Sequence, residues 1–318
     1  MTPGDPVTLV AEARSGSRGA LARLLTYVES ASSQHRATVA VAYASPPPYV
    51  LGLTGPPGAG KSTLGDLLIR ALLDGAPLGE AVERVAVLCV DPSSPFTGGA
   101  ILGDRIRMQE HATDERVFIR SMATRGHLGG LSLAVPDAVR VLGAVGFALV
   151  IVETVGVGQM EVEIASAADS TVVVTNPGWG DSMQANKAGL LEVADVFVIN
   201  KADRSGVEET RRDLEQMLDL GRSRPWRPPI VETSATERRG VGDLVAALDG
   251  HRRFLGEAAL AAARRERTRA ALVGVLRALV QAQTLVGSSG AIFEELVDAL
   301  SENRTDPYRA AETLLSTS

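Results

Sequence analysis

The stretch YVLGLTGPPGAGKSTLGDLL, residues 49–68, runs from a short apolar segment through a glycine-rich turn into apolar positions at helical spacing, Leu64, Leu67 and Leu68, continued by Leu72. Its centre, GPPGAGKST, has the phosphate-loop pattern in the setting that pattern requires, a strand before it and a helix after it. Glycines at 55, 58 and 60 let the backbone turn tightly, so that successive N–H groups point inward. The helix that follows offers its positive end to an anion. Gly55, Pro56, Pro57, Gly58, Ala59, Gly60, Lys61, Ser62 and Thr63 are therefore expected to cradle the phosphates of a nucleotide. Lys61 should reach the terminal phosphates and Ser62 should ligate Mg²⁺.

The chain on either side gives the architecture. VAVLCV (85–90), VFIR (117–120), FALVIVE (147–153), STVVVT (170–175) and VFVIN (196–200) are short and almost wholly apolar, as strands are when helices cover both faces. The expected fold is α/β, a P-loop NTPase with a doubly wound, mostly parallel sheet. Residues 6–43 carry Val10, Leu21, Leu24, Leu25 and Val28 at helical spacing, which predicts one or two helices ahead of the core. Residues 254–283 form a long amphipathic pattern with a stripe of Leu272, Val275, Leu276, Leu279 and Val280 that needs a partner. A GSSG break at 287–290 precedes two short helical patterns at 292–300 and 307–315. The expected organisation is a helical segment at 1–45, a nucleotide-binding domain at 46–253 and a C-terminal helical region at 254–318.

Composition narrows the function. A formal charge of −6 over 318 residues gives no electrostatic footprint for nucleic acid or an anionic membrane. No secretory signal or membrane span is read in the sequence, so a cytoplasmic location is expected. The single cysteine, Cys89, rules out an internal disulfide and reads as a small buried strand residue; with four scattered histidines it argues against a built-in transition-metal site.

Further acids fall near the strand ends. Glu153 closes an apolar strand, where a carboxylate faces the phosphate loop of a neighbouring strand and can serve the magnesium shell or the attacking water. Asp91 and Asp104 flank a Gly- and Ser-rich stretch that could close over a nucleotide; Asp104 could equally cap a helix starting near Arg105. The tetrapeptide NKAD, Asn200, Lys201, Ala202 and Asp203, selects the base. An aspartate there accepts from N1–H and the exocyclic amine of guanine, whereas adenine would leave the carboxylate unpaired. Ser234 and Ala235 stand where a backbone N–H would meet the guanine O6.

Taken in order, LTGPPGAGKST, VDPSSPFTGGAILGDRIRM, MATRGHLGGLS, IVETVGVGQMEVEI, GDSMQANKAGLLEVADVFVINKAD and DPYRAAETLL resemble the blocks of the MeaB/ArgK-like GTPases, formerly described as lysine/arginine/ornithine transport ATPases. The resemblance implies GTP hydrolysis coupled to chaperoning of an adenosylcobalamin-dependent acyl-CoA mutase, methylmalonyl-CoA mutase or a relative. It further implies a homodimer formed through a C-terminal helical arm. By matched position it gives Asp91, Asp104 and Glu153, with Ser62, to the magnesium and the switch regions, and Lys187 to a third switch that answers the mutase. Arg120, Arg125 and His127 are candidates for nucleotide-linked movement or partner contact. Three other readings stand beside it: a GTPase metallochaperone, which needs clustered Cys or His ligands, a transport-associated ATPase or kinase, and a non-catalytic scaffold. Pro57 stands where MinD-like ATPases carry a signature lysine, and Asp203 speaks against ATP.

Overall fold

The computed structural model describes residues 4–30, 32–92, 114–124, 134–154, 167–178, 193–221, 224–287 and 291–316. Its seven strands, β1 (Tyr49–Thr54), β2 (Val85–Pro92), β3 (Val117–Thr124), β4 (Leu149–Thr154), β5 (Ser170–Thr175), β6 (Val196–Ile199) and β7 (Ile230–Glu232), form one sheet in the order β3-β2-β4-β1-β5-β6-β7. Every pairing is parallel. The strand that feeds the phosphate loop therefore lies mid-sheet, between β4 and β5. The chain steps one way from β1 to β3 and the other way from β4 to β7, and this reversal makes the carboxyl ends beside β1 the natural nucleotide crevice.

Alternation along the strands explains why they read as continuous apolar runs. Leu51, Leu53, Val87, Cys89 and Ile151 pack against Leu64, Leu68, Ile69 and Leu72 of α4 (Lys61–Leu73). Their neighbours Val50, Leu88, Val90, Val150 and Val152 point to the opposite face, where α5 (Ala134–Ala144) contributes Val135, Val139 and Leu142. At the far side of the sheet Val173, Phe197 and Ile199 bury Leu214 of α6 (Val207–Leu220). Two-sided coverage removes the polar half of the period-two pattern. Cys89, 2% exposed on β2, is the small buried strand residue expected of it.

The N-terminal region forms three helices, one more than its periodicity predicted: α1 (Pro6–Arg14), α2 (Arg18–Glu29) and α3 (His35–Tyr43). Asp5 Oδ2 accepts from the backbone N–H of Thr8 and Ser17 Oγ from that of Ala20, so each of the first two helices starts at its own side-chain cap. They add no strand. Leu21, Leu24, Leu25 and Val28 instead join the buried cluster of Val50 and Leu88, which makes these helices the cover of one sheet face.

The chain divides into two compact units, residues 1–264 and 265–318. The helix α7 (Val241–Gly287) begins well before residue 254, because Leu244, Val245 and Leu248 already follow helical spacing and are buried. Its helical dihedrals are interrupted at Gly256, φ 56° and ψ 179°. The second unit continues with α8 (Ala291–Ser301) and α9 (Pro307–Ser316), close to the short helices the sequence predicts. Leu272 and Leu276 on α7 are 68% and 59% exposed, an apolar stripe on a solvated surface. No helix among the described residues is long and apolar enough to cross a membrane.

Candidate nucleotide site

Two close approaches, at Gly55 and Gly60, shape the phosphate loop. Gly55 has φ 136°, and a Cβ there would lie 2.0 Å from the Val174 carbonyl oxygen of β5, so only glycine lets β1 turn beside its neighbour. Gly60 has φ 90°, and a Cβ there would lie 2.4 Å from the side-chain amide of Asn200. Gly58, also at positive φ, borders open space. Behind this loop α4 begins at Lys61 with no side-chain cap on its first N–H groups, which leaves its positive end for an anion.

Lys61 is 7% exposed, and its Nζ donates to the carbonyls of Gly55 at 2.7 Å and Pro56 at 3.1 Å. These two bonds hold the ammonium against the loop's own backbone. Ser62 Oγ donates to Glu153 Oε1 at 2.7 Å, and both residues are buried, at 6% and 1% exposure. Register places Glu153 opposite Leu53 on β1 and Cys89 on β2, at the carboxyl edge of the sheet. A hydroxyl and a buried carboxylate are hard oxygen donors, and two such groups completed by water and phosphate oxygens are the set that Mg²⁺ prefers. Asp91 lies two residues beyond Cys89 on the same edge, paired with Ala123. Asp104, Lys187, Arg125 and His127 lie outside the described residues. Arg120 is turned away from this edge: its Nη2 pairs with Glu29 Oε2 of α2 at 2.7 Å.

The NKAD residues meet the loop from the other side. Asn200, 1% exposed, donates its Nδ2 to the Ala59 carbonyl at 2.8 Å and accepts from Thr233 Oγ1 at 3.1 Å. Lys201 takes φ 59°, and its Nζ donates to the Gly58 carbonyl at 2.6 Å. These contacts brace the loop from the base-reading segment, a role that the tetrapeptide pattern alone does not announce. Asp203 Oδ1 accepts from Ser234 Oγ at 2.7 Å, and this bond chiefly holds the carboxyl below its ordinary range. Asp203 thus stays ionised, ready to accept two N–H groups. Ser234 is fixed in turn by reciprocal backbone bonds with Arg239, at 3.1 and 3.0 Å, and Ala235 follows it in the turn.

A glycine loop ahead of a lysine, a hydroxyl on a carboxylate, and an ionised aspartate at the NKAD turn are together compatible with binding a guanine nucleotide. The family model described as "Methylmalonyl Co-A mutase-associated GTPase MeaB" matches residues 21–288. The chain belongs to the MeaB family. This MeaB-family chain is 46% identical over 314 residues to a protein of Pyrococcus abyssi, covering 96% of this chain and 95% of that one. GTPase ArgK of Escherichia coli is 42% identical over 245 residues, 73% of this chain and 71% of its own. The mouse protein named methylmalonic aciduria type A homolog, mitochondrial, is 34% identical over 249 residues, 72% of this chain and 59% of its own. A solved structure titled "Crystal structure of LAO/AO transport system kinase" superposes with a TM-score of 0.69 at 27% identity, covering all of this chain and 98% of that one. The MeaB-family chain is a GTP hydrolase on the P-loop fold, and its bound nucleotide is a guanine nucleotide.

Proposed function

We propose that this MeaB-family GTPase is a cytoplasmic, homodimeric chaperone that gates adenosylcobalamin loading and protection of an acyl-CoA mutase, methylmalonyl-CoA mutase or a close relative. The observation that carries it is the match over residues 21–288 to a family described by its association with that mutase. The name of the mouse relative points to the same metabolism.

The chemistry follows from the site. Lys61 and the amides of residues 55–63 hold the β- and γ-phosphates and stabilise charge that gathers on the γ-phosphoryl oxygens as water attacks. Ser62 and Glu153, with Asp91 and Asp104 by matched position, would hold Mg²⁺, which would supply charge neutralisation at those phosphates. Glu153 is bonded to the Ser62 hydroxyl, so any group that enters between them must displace that bond and move both side chains together. Asp203, with Ser234 and Ala235, reads guanine while Asn200 and Lys201 keep the loop in register. Neither Arg120 nor Arg125 is needed for these roles. Hydrolysis by the free protein is accordingly slow, and GTP acts as a timing signal through the segments that contain Asp104 and Lys187. In this reading residues 1–45 cover the sheet, 46–253 carry the nucleotide, and 254–318 supply the dimer contact through the stripe that includes Leu272 and Leu276.

The test measures GTP hydrolysis with and without a purified adenosylcobalamin-dependent mutase while following cofactor transfer in the same samples. Stimulated hydrolysis with nucleotide-gated loading is expected. A GTPase indifferent to every such mutase would sink the proposal, and stronger binding of ATP than GTP in competition would revive the transport-kinase reading.

A further inference from the structure

At the amino edge of the sheet, where β2, β3 and β4 begin, the structure opens into a cavity of about 480 Å³. The phosphate loop lies beyond the opposite, carboxyl edge. Strands of six to eight residues separate the two edges, roughly 20–25 Å at about 3.3 Å per residue. The cavity is lined by Arg14 at the end of α1, Arg18 at the start of α2, Arg84 before β2 and Arg116 before β3, with Glu115 as the acid among them. Four arginines less one glutamate give a lining charge of +3; counting the ion pair of Arg116 with the Asp114 carboxylate at 2.7 Å leaves +2. This occurs in a chain whose formal charge is −6.

The way the guanidinium groups are held matters more than their number. Arg14 Nε donates to the Ala144 carbonyl at 2.6 Å, Arg18 Nη2 to that of Val117 at 3.0 Å, and Arg84 Nη1 to that of Val145 at 3.3 Å. Arg84 also lies over the Phe147 ring, 4.3 Å from its centroid, and Arg18 stands 6.0 Å from that of Phe118. Both rings are buried, so the arginine heads are mounted on rigid supports. Carbonyls and aromatic faces fix the position of a cation and leave its charge uncompensated. Among the described residues Arg116 is the only one of the four in an ion pair. A single arginine is enough to tie a loop to a carbonyl. Bringing three cations without ion pairs to one cavity, with Glu115 as the lining acid, still raises the energy of the empty state by mutual repulsion, which an entering anion relieves.

We propose that this amino-edge cavity is a second ligand site, which binds a small soluble phosphorylated anion carrying two or more negative charges. Tetrahedral phosphate oxygens match several guanidinium forks at once, and each fork can donate two parallel bonds. A half-open cavity of this volume has room for a free metabolite, and its lining makes no extended flat surface.

The probe is inorganic pyrophosphate, titrated calorimetrically into the full chain after the phosphate loop has been saturated with a non-hydrolysable GTP analogue. One pyrophosphate is expected to bind per chain. The double variant Arg14→Gln/Arg84→Gln should bind at least about tenfold more weakly, as loss of two charge-assisted contacts implies. Glu115→Gln, which removes the lining acid and touches none of the supports, should bind a few-fold more tightly. That gain cannot arise from misfolding, so the pair of variants separates recognition from loop stability. Pyrophosphate that fails to bind, or binds unchanged in both variants, overturns the proposal. Binding only to vesicles of phosphatidylcholine and phosphatidic acid, with none to pyrophosphate, overturns it as well and moves the phosphate to a lipid headgroup.

Discussion

The two ends of β5 carry buried polar groups of opposite character. Beyond its carboxyl end, Lys61, Ser62, Glu153 and Asn200 are held by loop carbonyls or by one another around the place where phosphates would lie. At its amino end Ser170 Oγ is 2.6 Å from Tyr49 Oη and 2.6 Å from His251 Nδ1, and His251 Nε2 is 3.4 Å from Asp195 Oδ1. Trp226 packs against His251 with ring centroids 5.1 Å apart, and its Nε1 donates to the Asp195 carbonyl at 2.8 Å. Burial pushes the Tyr49 hydroxyl up to about 12, so it keeps its proton beside Ser170. His251 thus lies between the Ser170 hydroxyl at Nδ1 and the Asp195 carboxylate at Nε2. A serine, a histidine and an aspartate in line would suggest catalysis, yet His251 is 3% exposed and Ser170 fully buried. Here the same residue types close a chain of bonds among β1, β5 and α7, whereas the groups at the carboxyl edge, though equally buried, adjoin a glycine loop whose Gly58 borders open space. Proximity of reactive side chains makes a site only where a substrate can reach them.

Substitutions can break this contrast by moving the wrong observable. The largest effect is expected from Lys61→Ala, which should lower single-turnover GTP hydrolysis by ~100-fold or more while the melting temperature of the nucleotide-free protein holds. Undiminished hydrolysis would remove Lys61 from the chemistry. Next comes Asp203→Asn. Its amide cannot accept from both guanine N–H groups, so GTP affinity should fall at least about tenfold and xanthosine triphosphate should gain, as read by competition binding. Equal losses for both nucleotides would mean that the residue acts on the fold and not on the base.

The smallest effect concerns the amino edge and appears as pH dependence. Burial lowers the His251 pKa from 6.5 to about 4, although the Asp195 carboxylate nearby pulls the other way. The neutral imidazole belongs to the folded state, so its contribution is complete above pH 6.5, declines as pH falls toward about 4, and changes no further below that. It amounts to no more than roughly 3 to 4 kcal/mol. His251→Gln should flatten urea-unfolding stability across that window relative to the parent and leave hydrolysis at neutral pH alone. An unchanged slope would refute the depressed titration.

The fold was legible because its signals are local. Residues 170–175 are a strand as read, and the others moved only at their ends: β2 runs to Pro92 and β3 to Thr124, where polar residues follow the apolar run and no longer mark the boundary. The phosphate loop, its helix and the NKAD turn stand where the spacing put them. The third N-terminal helix was missed because Ala37, Ala40 and Ala42 give α3 little apolar contrast. Within the site, each motif could be read separately, but the bonds between motifs could not. Asn200 meets Ala59 across 141 residues of chain, and Ser62 meets Glu153 across 91. The arginine cavity was invisible for the same reason, since Arg14, Arg84 and Arg116 are ordinary charged residues until the amino ends of β2 and β3 bring them together.

The sequence by itself determined what is written in contiguous residues: a phosphate loop between strand and helix, the tetrapeptide NKAD after its strand, apolar strands covered on both faces, and the blocks of a GTPase family. Only the tertiary structure decided the strand order, the pairing of Glu153 with Ser62, the inert setting of His251 and the gathering of arginines at the amino edge. Local motifs are encoded by backbone conformation and side-chain periodicity over a few residues. Distant contacts depend instead on which strands pair, and packing settles that for the whole sheet at once.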